Sequence, residues 1–388
     1  MNGFLKTIIR ECCILLNNRF MLFVLFVLPI IFACISVSVF ISGVATDLPI
    51  AICDQDNSDL SRNLTRTVNS TPACKIKFKT SDLREGKDIL NGGAAYALLL
   101  IPKNFKSDLS LGKRPQIICY YNNQMILVGG VIIKDIQTAI SNFIKGASAQ
   151  IQMKTGVPKY AISSKIMPIS FDERVKANPY SNYSYFLTYA AIAHIFQIIA
   201  TLLAVWTIGR EFRYGTTSIW LKNANGSICS AVFGKLFFYN TILLMMLFAI
   251  YFSYVLFCSA PFKGNILFSI FGAWIFLFAY QMMGTAFMSV LSNLRFAMSV
   301  GAFYTSLGFS FSGMTFPAIA LPEFGQFYSS LLPVRPFVNL IINQALRGFS
   351  PIYDVKYIFG MLLISIPGIL LLPFLKQHAQ DESLCYQL

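Results

Sequence analysis

Charged side chains are scarce in this chain. They make up 12% of its 388 residues, whereas soluble domains carry about 25%. Hydrophobic residues make up 55%, and the mean hydropathy is +0.60. This composition excludes an ordinary soluble domain and predicts a polytopic membrane protein.

Histidines and catalytic motifs are also scarce. Only His194 and His378 occur, too few for a multi-histidine metal site, and the sequence contains no G-x-S-x-G, C-x-x-C or H-E-x-x-H motif. A Walker A phosphate loop is absent, because Gly234 and Lys235 have the wrong spacing and are followed by Leu236. We therefore expect no enzymatic activity, no catalytic residue, and no metal or cofactor bound by this chain. Energy for uphill transport would have to come from a partner.

The net charge of +14 does not predict a nucleic-acid partner. The basic residues form no dense patch with interleaved aromatic residues, and lie instead at the ends of apolar segments and through one polar stretch. The 36 phenylalanines and 18 tyrosines suit contact with the lipid bilayer and anchoring at its surfaces.

Six uncharged segments are spaced as one plus five, with a long polar stretch after the first. Each is about 20 residues long, which matches the hydrocarbon thickness of a bilayer. We predict spans at residues 20–41, 185–208, 236–258, 266–291, 296–316 and 357–375. The expected fold is a polytopic α-helical membrane protein, with six transmembrane helices in a 1+5 arrangement and an α/β extracytoplasmic domain between helices 1 and 2.

The same pattern predicts four parts of the chain. These are a cytoplasmic amphipathic interfacial helix at 1–19, transmembrane helix 1 at 20–43, the extracytoplasmic domain at 44–180, and a five-helix transmembrane domain at 181–388. The first part is predicted from apolar residues at helical spacing, which suit a helix on the membrane surface. Pro29 predicts a kink in the first span.

Basic residues in the short loops orient the spans. One side carries Lys6, Arg10, Arg19, Arg210, Arg213, Lys222, Lys235, Arg295 and Lys376, and the loop between spans three and four carries Lys263. The positive-inside rule then places both termini in the cytoplasm, in a bacterial inner membrane. Arg335, Arg347 and Lys356 fall on the outer side and contradict the rule.

The polar stretch has the alternation of an α/β domain. Residues 48–53, 94–101 and 116–121 predict short strands, and 59–69 and 126–155 predict helices, so we expect a mixed sheet covered by helices. Three cysteines of this domain, Cys53, Cys74 and Cys119, fall in strand-like runs. Buried free thiols are favoured, and one disulfide among the three is the alternative.

Frequent prolines interrupt the chain between the fifth and sixth spans. Pro317, Pro322, Pro333 and Pro336 forbid one continuous helix, and the apolar run at 334–346 is too short to span. We predict a re-entrant segment near 317–347 beside the transport route, because broken backbone at membrane depth needs protein or a water-lined cavity around it.

Polar residues inside the second span form another candidate site. His194 is followed one turn later by Gln197. An intramembrane ionisable group suggests function, although a neutral histidine hydrogen-bonded to a neighbouring helix is the favoured alternative.

The segment after the second span mixes both charge signs. It runs Arg210-Glu211-Phe212-Arg213-Tyr214-Gly215-Thr216-Thr217. A short charged element held against the membrane is what a cytoplasmic motor domain needs to push on. A solvated loop that obeys the positive-inside rule explains the arginines but not Glu211 or Gly215, and the residues alone leave the two interpretations equal.

At these residues the chain resembles the type 2 ABC exporter permeases (ABC-2 type transporter transmembrane subunits), in the subfamily with a large extracytoplasmic domain after the first span. The matching residues lie in order along nearly the whole chain: Arg10-Glu11, Leu28-Pro29, 49–56, Ser58, Ser61-Arg62, 97–105, Leu109, Gly112, Pro115, Glu211, Gly215-Thr216, Gly234-Lys235, Phe311-Ser312-Gly313, Phe316-Pro317 and Pro322. One departure is that Thr217-Ser218 stands where an acidic residue usually follows the Gly-Thr pair.

The resemblance implies a half-transporter. Two permease copies, identical or paralogous, would form the pathway, each docked on a separately encoded ATP-binding subunit that holds ATP and Mg. Coupling to that ATPase would involve Arg10, Glu11, Arg210, Glu211, Gly215 and Thr216, and the outer gate would involve Gly313, Phe316, Pro317 and Pro322. A periplasmic adaptor with an outer-membrane channel is a further partner that the resemblance allows.

The sequence limits the transported substrate only to a broad chemical class. An aromatic-rich pathway without carboxylates in the predicted spans favours an amphipathic or lipid-like substrate or drug over small ions. Two alternatives to a transporter stay open: a membrane-anchored sensor or assembly factor, and the phage-receptor or secretion-component proteins that share the 1+5 layout.

Overall fold

The chain forms two compact units, Met1–Gly43 with Val175–Leu388, and Val44–Arg174. The structure is a computed structural model and describes residues 3–41, 43–111, 113, 115–122, 126–154, 182–313 and 320–381. The first unit is helical, and the second contains a four-stranded sheet.

The described elements follow in chain order. They are α1 Gly3–Leu16, α2 Arg19–Phe40, β1 Leu48–Asp54, α3 Asp59–Asn69, β2 Cys74–Thr80, α4 Leu83–Asn91, β3 Ala97–Ile101, α5 Phe105–Ser110, β4 Ile118–Tyr121, α6 Ile126–Lys154, α7 Tyr183–Arg213, α8 Thr217–Asn223, α9 Ile228–Cys258, α10 Ile266–Leu291, α11 Leu294–Ser306, α12 Gly308–Phe311, α13 Glu323–Ser330, α14 Val334–Ile342, α15 Pro351–Leu370 and α16 Leu372–Gln380. A π-helical turn, Asn343–Arg347, directly follows α14.

Five helical segments of the described chain are long and apolar enough to cross a membrane. They are α2, α7, α9, α10 and the pair α15–α16, Pro351–Gln380. The fifth predicted span, 296–316, is not one continuous helix in its described part, because α11 ends at Ser306 and α12 is a single turn. Five of the six predicted spans therefore correspond to a helix of membrane-spanning length, and the count of six transmembrane helices stays a prediction.

A side chain from α7 accounts for the break between α11 and α12. Gln197 Nε2 donates to the Thr305 carbonyl at 3.0 Å, and the Leu307 N–H bonds to the same carbonyl. A side chain that inserts in this way is a known cause of helix kinks. Gly308 follows at once, and the Gln197 side chain lies where a Cβ at this position would be.

A π-helical turn precedes Pro29. The turn covers Phe23–Val27, and the Leu28 N–H bonds to the Phe23 carbonyl, five residues back. Proline lacks an N–H and its ring collides with the carbonyl four residues earlier in an α-helix. The wider turn before Pro29 relieves that collision.

Helix α1 is amphipathic in an unexpected sense. Its buried residues are Gly3, Thr7, Glu11 and Leu15, one side of the helix at four-residue spacing. Leu5, Ile9 and Leu16 are exposed. The helix therefore turns a carboxylate toward the protein and apolar side chains outward, which suits contact with lipid.

The segment around α14 is a short helix held against α10. Phe337 stacks on Phe276 with ring centroids 4.1 Å apart, and Leu340 packs on Gly272. At the far end, the Lys263 N–H bonds to the Ala345 carbonyl at 3.1 Å. The described part of the segment predicted to be re-entrant thus consists of α13, α14 and the π turn.

The second unit contains a mixed sheet with the order β2-β1-β3-β4. Strand β1 pairs in parallel with β2 and β3, and β4 is antiparallel to β3. Alternate residues of a strand face opposite sides, so Ile50 and Ile52 pack with α3 and α6, while Ala51 and Cys53 pack with α4. The sheet is therefore covered by helices on both faces, and the apolar strand runs predicted it.

The three cysteines of this unit are free thiols in the structure. Cys53 and Cys74 are buried, and Cys119 is half-buried. Burial raises the pKa of Cys74 and that of Cys119 to about 11, so few of these thiols are ionised at neutral pH.

We expect a maleimide at pH 7 to leave Cys53 and Cys74 unlabelled in the native full-length chain, because reaction needs an accessible thiolate. Exposed Cys229 should react and serves as the internal control. Denaturation without reductant should make all three cysteines of the second unit reactive, as read by mass spectrometry. Labelling of only one of them would show a disulfide instead.

Candidate functional site

Five charged side chains form a buried cluster at one end of the helical unit. Arg10 and Glu11 come from α1, Arg210 and Glu211 from the last turn of α7, and Lys235 from α9. The side chains of Glu11, Glu211 and Lys235 are 0% exposed. We call this group the charge cluster, and it ties three helices together.

Glu211 has the most partners in the charge cluster. Arg10 donates to both of its carboxylate oxygens, at 2.8 and 2.7 Å, and Lys235 Nζ donates at 2.7 Å. Thr216 Oγ1 donates a further hydrogen bond at 2.5 Å. A two-pronged arginine contact of this kind fixes orientation as well as adding energy.

Glu11 is the second carboxylate of the charge cluster. Arg210 Nη2 donates to it at 2.5 Å, and the Tyr239 hydroxyl donates at 3.1 Å. Lys235 Nζ lies 3.1 Å from its other oxygen, and that amine also donates to the Thr207 carbonyl at 2.8 Å. Both oxygens of Glu11 and the Lys235 amine therefore have polar partners, as a buried ion network requires.

Opposite charges face one another in the charge cluster. Three basic side chains face two carboxylates, so one positive charge is in excess. Burial alone would lower the pKa of Arg10, but the hydrogen bond to Glu211 and the attraction of Glu211 and Glu11 together outweigh that effect and raise the pKa.

The turn after α7 places α8 beside the charge cluster. Gly215 has φ +63°, a left-handed conformation that suits glycine at a helix C-terminus. The Thr216 N–H then bonds back to the Glu211 carbonyl at 2.8 Å. In α8, Trp220 lies under the Lys235 amine, with Nζ 4.8 Å from the ring centroid.

Close packing of the backbones also holds α1 in place. A Cβ at Gly234 would lie 3.0 Å from the Phe4 carbonyl oxygen and from Thr7 Cβ. A Cβ at Gly3 would lie 2.6 Å from the backbone of Ala224. These glycines let α1 approach α9 and the end of α8 backbone to backbone.

The structure brings together four of the six residues predicted to couple to an ATPase, Arg10, Glu11, Arg210 and Glu211, and puts Gly215 and Thr216 in the adjoining turn. The two carboxylates are fully buried and hold α1, α7 and α9 together. Lys235 and Tyr239 were missed as members. The available signal was the lysine of the Gly234-Lys235 pair, directly before a predicted span.

His194 and Gln197 both lie inside the helical unit, one turn apart on α7. His194 Nδ1 is 2.6 Å from the Ala190 carbonyl and its ring packs against Phe309. Gln197 bonds to the Thr305 carbonyl and accepts from the Tyr280 hydroxyl at 2.5 Å. Gln197 thus joins α7, α10 and α11, whereas His194 Nε2 has no hydrogen-bond partner among the described residues.

The predicted outer gate is only partly described. Gly313 has φ +83° and follows α12, and Pro322 caps the start of α13. Phe316 and Pro317 lie outside the described residues. Ser329 of α13 donates to the Phe311 carbonyl at 2.6 Å, which joins α12 to α13.

Two carboxylates lie on the long helices just outside the predicted spans. Helices α7 and α15 are longer than the predicted spans and include Glu211 and Asp354. Asp354 is buried and accepts from Asn343 and Gln344 at 2.7 and 2.6 Å. Within the part of the chain that the structure describes, no group of three or more His, Cys, Asp or Glu could hold a metal ion.

Family comparison agrees with this architecture. The chain belongs to the family described as ABC-2 family transporter protein, which matches residues 19–375. It is accordingly an ABC-2 type permease, a membrane subunit that works with an ATP-binding partner, and the resemblance seen in the sequence is confirmed. No curated protein matches the chain.

Proposed function

We propose that this permease is one half of an ATP-driven exporter that moves an amphipathic or lipid-like cargo outward across a bacterial inner membrane. Both termini would lie in the cytoplasm, and the second unit would lie on the outer side. A second permease copy would complete the pathway, with ATP and Mg held by the ATP-binding subunits.

The charge cluster is the observation that supports this proposal. It joins α1, the end of α7, the start of α9 and the turn before α8 through charged contacts of 2.5 to 3.3 Å. A push on α8 would therefore be transmitted to α7, because Glu211 holds the turn between them. Helix α7 carries Gln197, which reaches the break between α11 and α12.

Exposed residues next to the charge cluster are the proposed contact with the ATP-binding subunit. Arg213, Tyr214, Ser218 and Ile219 are exposed, and they flank the Gly215 turn in the sequence. We call these four residues the docking face. A small apolar and basic surface on a rigid support is what a motor subunit needs to transmit force.

The proposed cargo class is supported by the two buried carboxylates of the long helices, which already have hydrogen-bond partners. Glu211 is neutralised by Arg10 and Lys235, and Asp354 is hydrogen-bonded by two amides. Neither is left open for ion coupling. The proposal of an amphipathic cargo therefore stands, and a periplasmic adaptor with an outer-membrane channel would continue its route.

The test is co-purification of the full-length chain with its ATP-binding subunit after expression from the native operon. We expect a stoichiometric ATPase in a mild detergent extract. Ile219→Glu should cut the recovered ATPase by about tenfold or more, since a charge in a buried contact costs several kcal/mol unless it is paired. The matched control is Leu111→Glu, an exposed leucine of the second unit.

Recovery of the ATPase should be unchanged in the Leu111→Glu control. An intact extract that lacks any stoichiometric ATPase would overturn the exporter. Equal recovery with Ile219→Glu and the wild type would instead overturn only the docking face.

A further inference from the structure

Two arginines near α14 are not explained by the positive-inside rule, which accounts for most basic residues of the short loops. Arg335 and Arg347 lie on the side of the membrane that the positive-inside rule leaves poor in basic residues. Arg335, Asn339, Asn343 and Arg347 recur at every fourth position, which places them along one side of a helix. Two hydrogen bonds confirm the row: Asn339 Nδ2 to the Arg335 carbonyl at 3.0 Å, and Arg347 Nη1 to Asn343 Oδ1 at 2.9 Å.

The π turn keeps this row straight. In an α-helix, positions four apart drift steadily around the axis, since a turn takes 3.6 residues. The wider π turn at Asn343–Arg347 rotates each residue less and takes some of that drift back. Arg347 therefore stays on the side of the helix that carries Arg335.

The depth of the row follows from α10. Val334 N bonds to the Tyr280 hydroxyl at 3.3 Å, and Phe337 stacks on Phe276. Tyr280 lies about 21 Å from the start of α10 at Ile266, at 1.5 Å per residue. Because the hydrocarbon core is about 30 Å thick, Arg335 lies beside the middle of a spanning helix.

The other end of the row lies at a membrane surface. Arg347 lies over Phe349, with its guanidinium carbon 5.7 Å from the ring centroid, and Phe349 contacts Tyr353. Both aromatic side chains are exposed. An arginine with exposed aromatic neighbours is typical of the headgroup level.

Neither guanidinium forms an ion pair in the described part of the chain. Arg335 is half-buried and donates to Ser329 Oγ at 3.3 Å, and Arg347 is exposed and donates to Asn343. Asp354 faces the amides of Asn343 and Gln344 instead. A half-buried arginine at bilayer depth without a carboxylate is costly, which is the usual sign of a functional position.

We propose that Arg335, Asn339 and Arg347 form a polar lane for the anionic headgroup, phosphate or carboxylate, of an amphiphile. Asn343 positions Arg347. The acyl part would stay in lipid, while the headgroup passes from Arg335 at mid-depth to Arg347 at the surface. Guanidinium groups suit this role because they bind phosphate and carboxylate through two parallel N–H donors. That the amphiphile is cargo rests on the proposed function, and the site itself does not.

Binding is tested on the full-length chain in nanodiscs, with phosphatidylglycerol as the anionic probe and phosphatidylcholine as the zwitterionic one. We expect the wild type to retain phosphatidylglycerol preferentially, as read by native mass spectrometry. Arg335→Gln should reduce that preference about tenfold, because charge-assisted hydrogen bonds are lost. Arg335→Lys should keep part of it. Arg295→Gln, at an exposed arginine in the first turn of α11, is the matched control and should change nothing.

An unchanged preference in both Arg335→Gln and Arg347→Gln, with thermal unfolding like the wild type, would overturn the lane. Equal loss in Arg295→Gln would overturn it as well. A second arm separates cargo from resident lipid: ATP-driven movement of headgroup-labelled phosphatidylglycerol in proteoliposomes of the complex. Movement that Arg335→Gln abolishes supports a cargo lane. Binding without ATP-driven movement keeps the headgroup site, assigns it to membrane lipid and overturns the cargo role.

Discussion

The Glu211→Ala variant is expected to lose about 3–5 kcal/mol of folding free energy, the usual cost of removing one partner from a buried ion network. Glu211 is 0% exposed and accepts from Arg10, Lys235 and Thr216. Its removal would leave two positive charges in excess inside the protein, and the turn before α8 would lose its anchor. Chemical unfolding of the purified full-length chain in detergent measures the loss.

A double variant separates the loss of charge balance from a general loss of packing. Glu211→Ala combined with Lys235→Met removes one anion and one cation, which restores the single excess positive charge of the native cluster. Because apolar replacement of a whole buried pair is often neutral, the double variant should recover part of the lost free energy. Glu323→Ala is the surface control, since Glu323 is exposed, and should stay within about 0.5 kcal/mol. A single variant as stable as this control would contradict the role of Glu211.

The second unit could largely be predicted from its sequence. Its strands are short apolar runs bounded by polar turns, and such runs signal buried strands without any knowledge of their neighbours. Strand order is different, because β1 lies between β2 and β3 only after the chain crosses over the sheet. The sequence carries no local mark of that crossing, so it predicted a mixed sheet but no order.

The charge cluster could be predicted only in part. Arg210, Glu211 and Gly215 stand out locally because they mix charges with a helix-ending glycine. Lys235 does not, since a lysine before a span is what the positive-inside rule leads one to expect. Its burial depends on α1 packing across Gly234, a contact between residues far apart in the sequence.

The break in the fifth predicted span could not be predicted either, because it too depends on a contact between residues far apart in the sequence. Residues 296–316 are apolar and of spanning length, so hydropathy predicts one helix. The carbonyl at the break belongs to Thr305, and the side-chain amide that donates to it belongs to Gln197 on another helix. Gln197 was singled out as an intramembrane polar residue, but only the fold shows what it binds.

Gly284 is a position where even the smallest substitution is expected to disrupt the packing of the spans. A Cβ there would lie 2.6 Å from the Thr201 carbonyl oxygen and 3.0 Å from Ala204 Cβ. Both contacts belong to α7, and the carbonyl is backbone that cannot rotate away. Overpacking of this kind costs about 1–3 kcal/mol, so Gly284→Ala should lower the free energy of unfolding although alanine is the better helix former.

Gly360 supplies the matched comparison, because it also lies inside a helix but has no atom within 4 Å of its would-be Cβ. Gly360→Ala should therefore show only the gain in helix propensity, about 0.5–1 kcal/mol. The two alanine variants are thus expected to shift the unfolding midpoint in opposite directions. Equal shifts would mean that α7 and α10 are not packed backbone to backbone at Gly284.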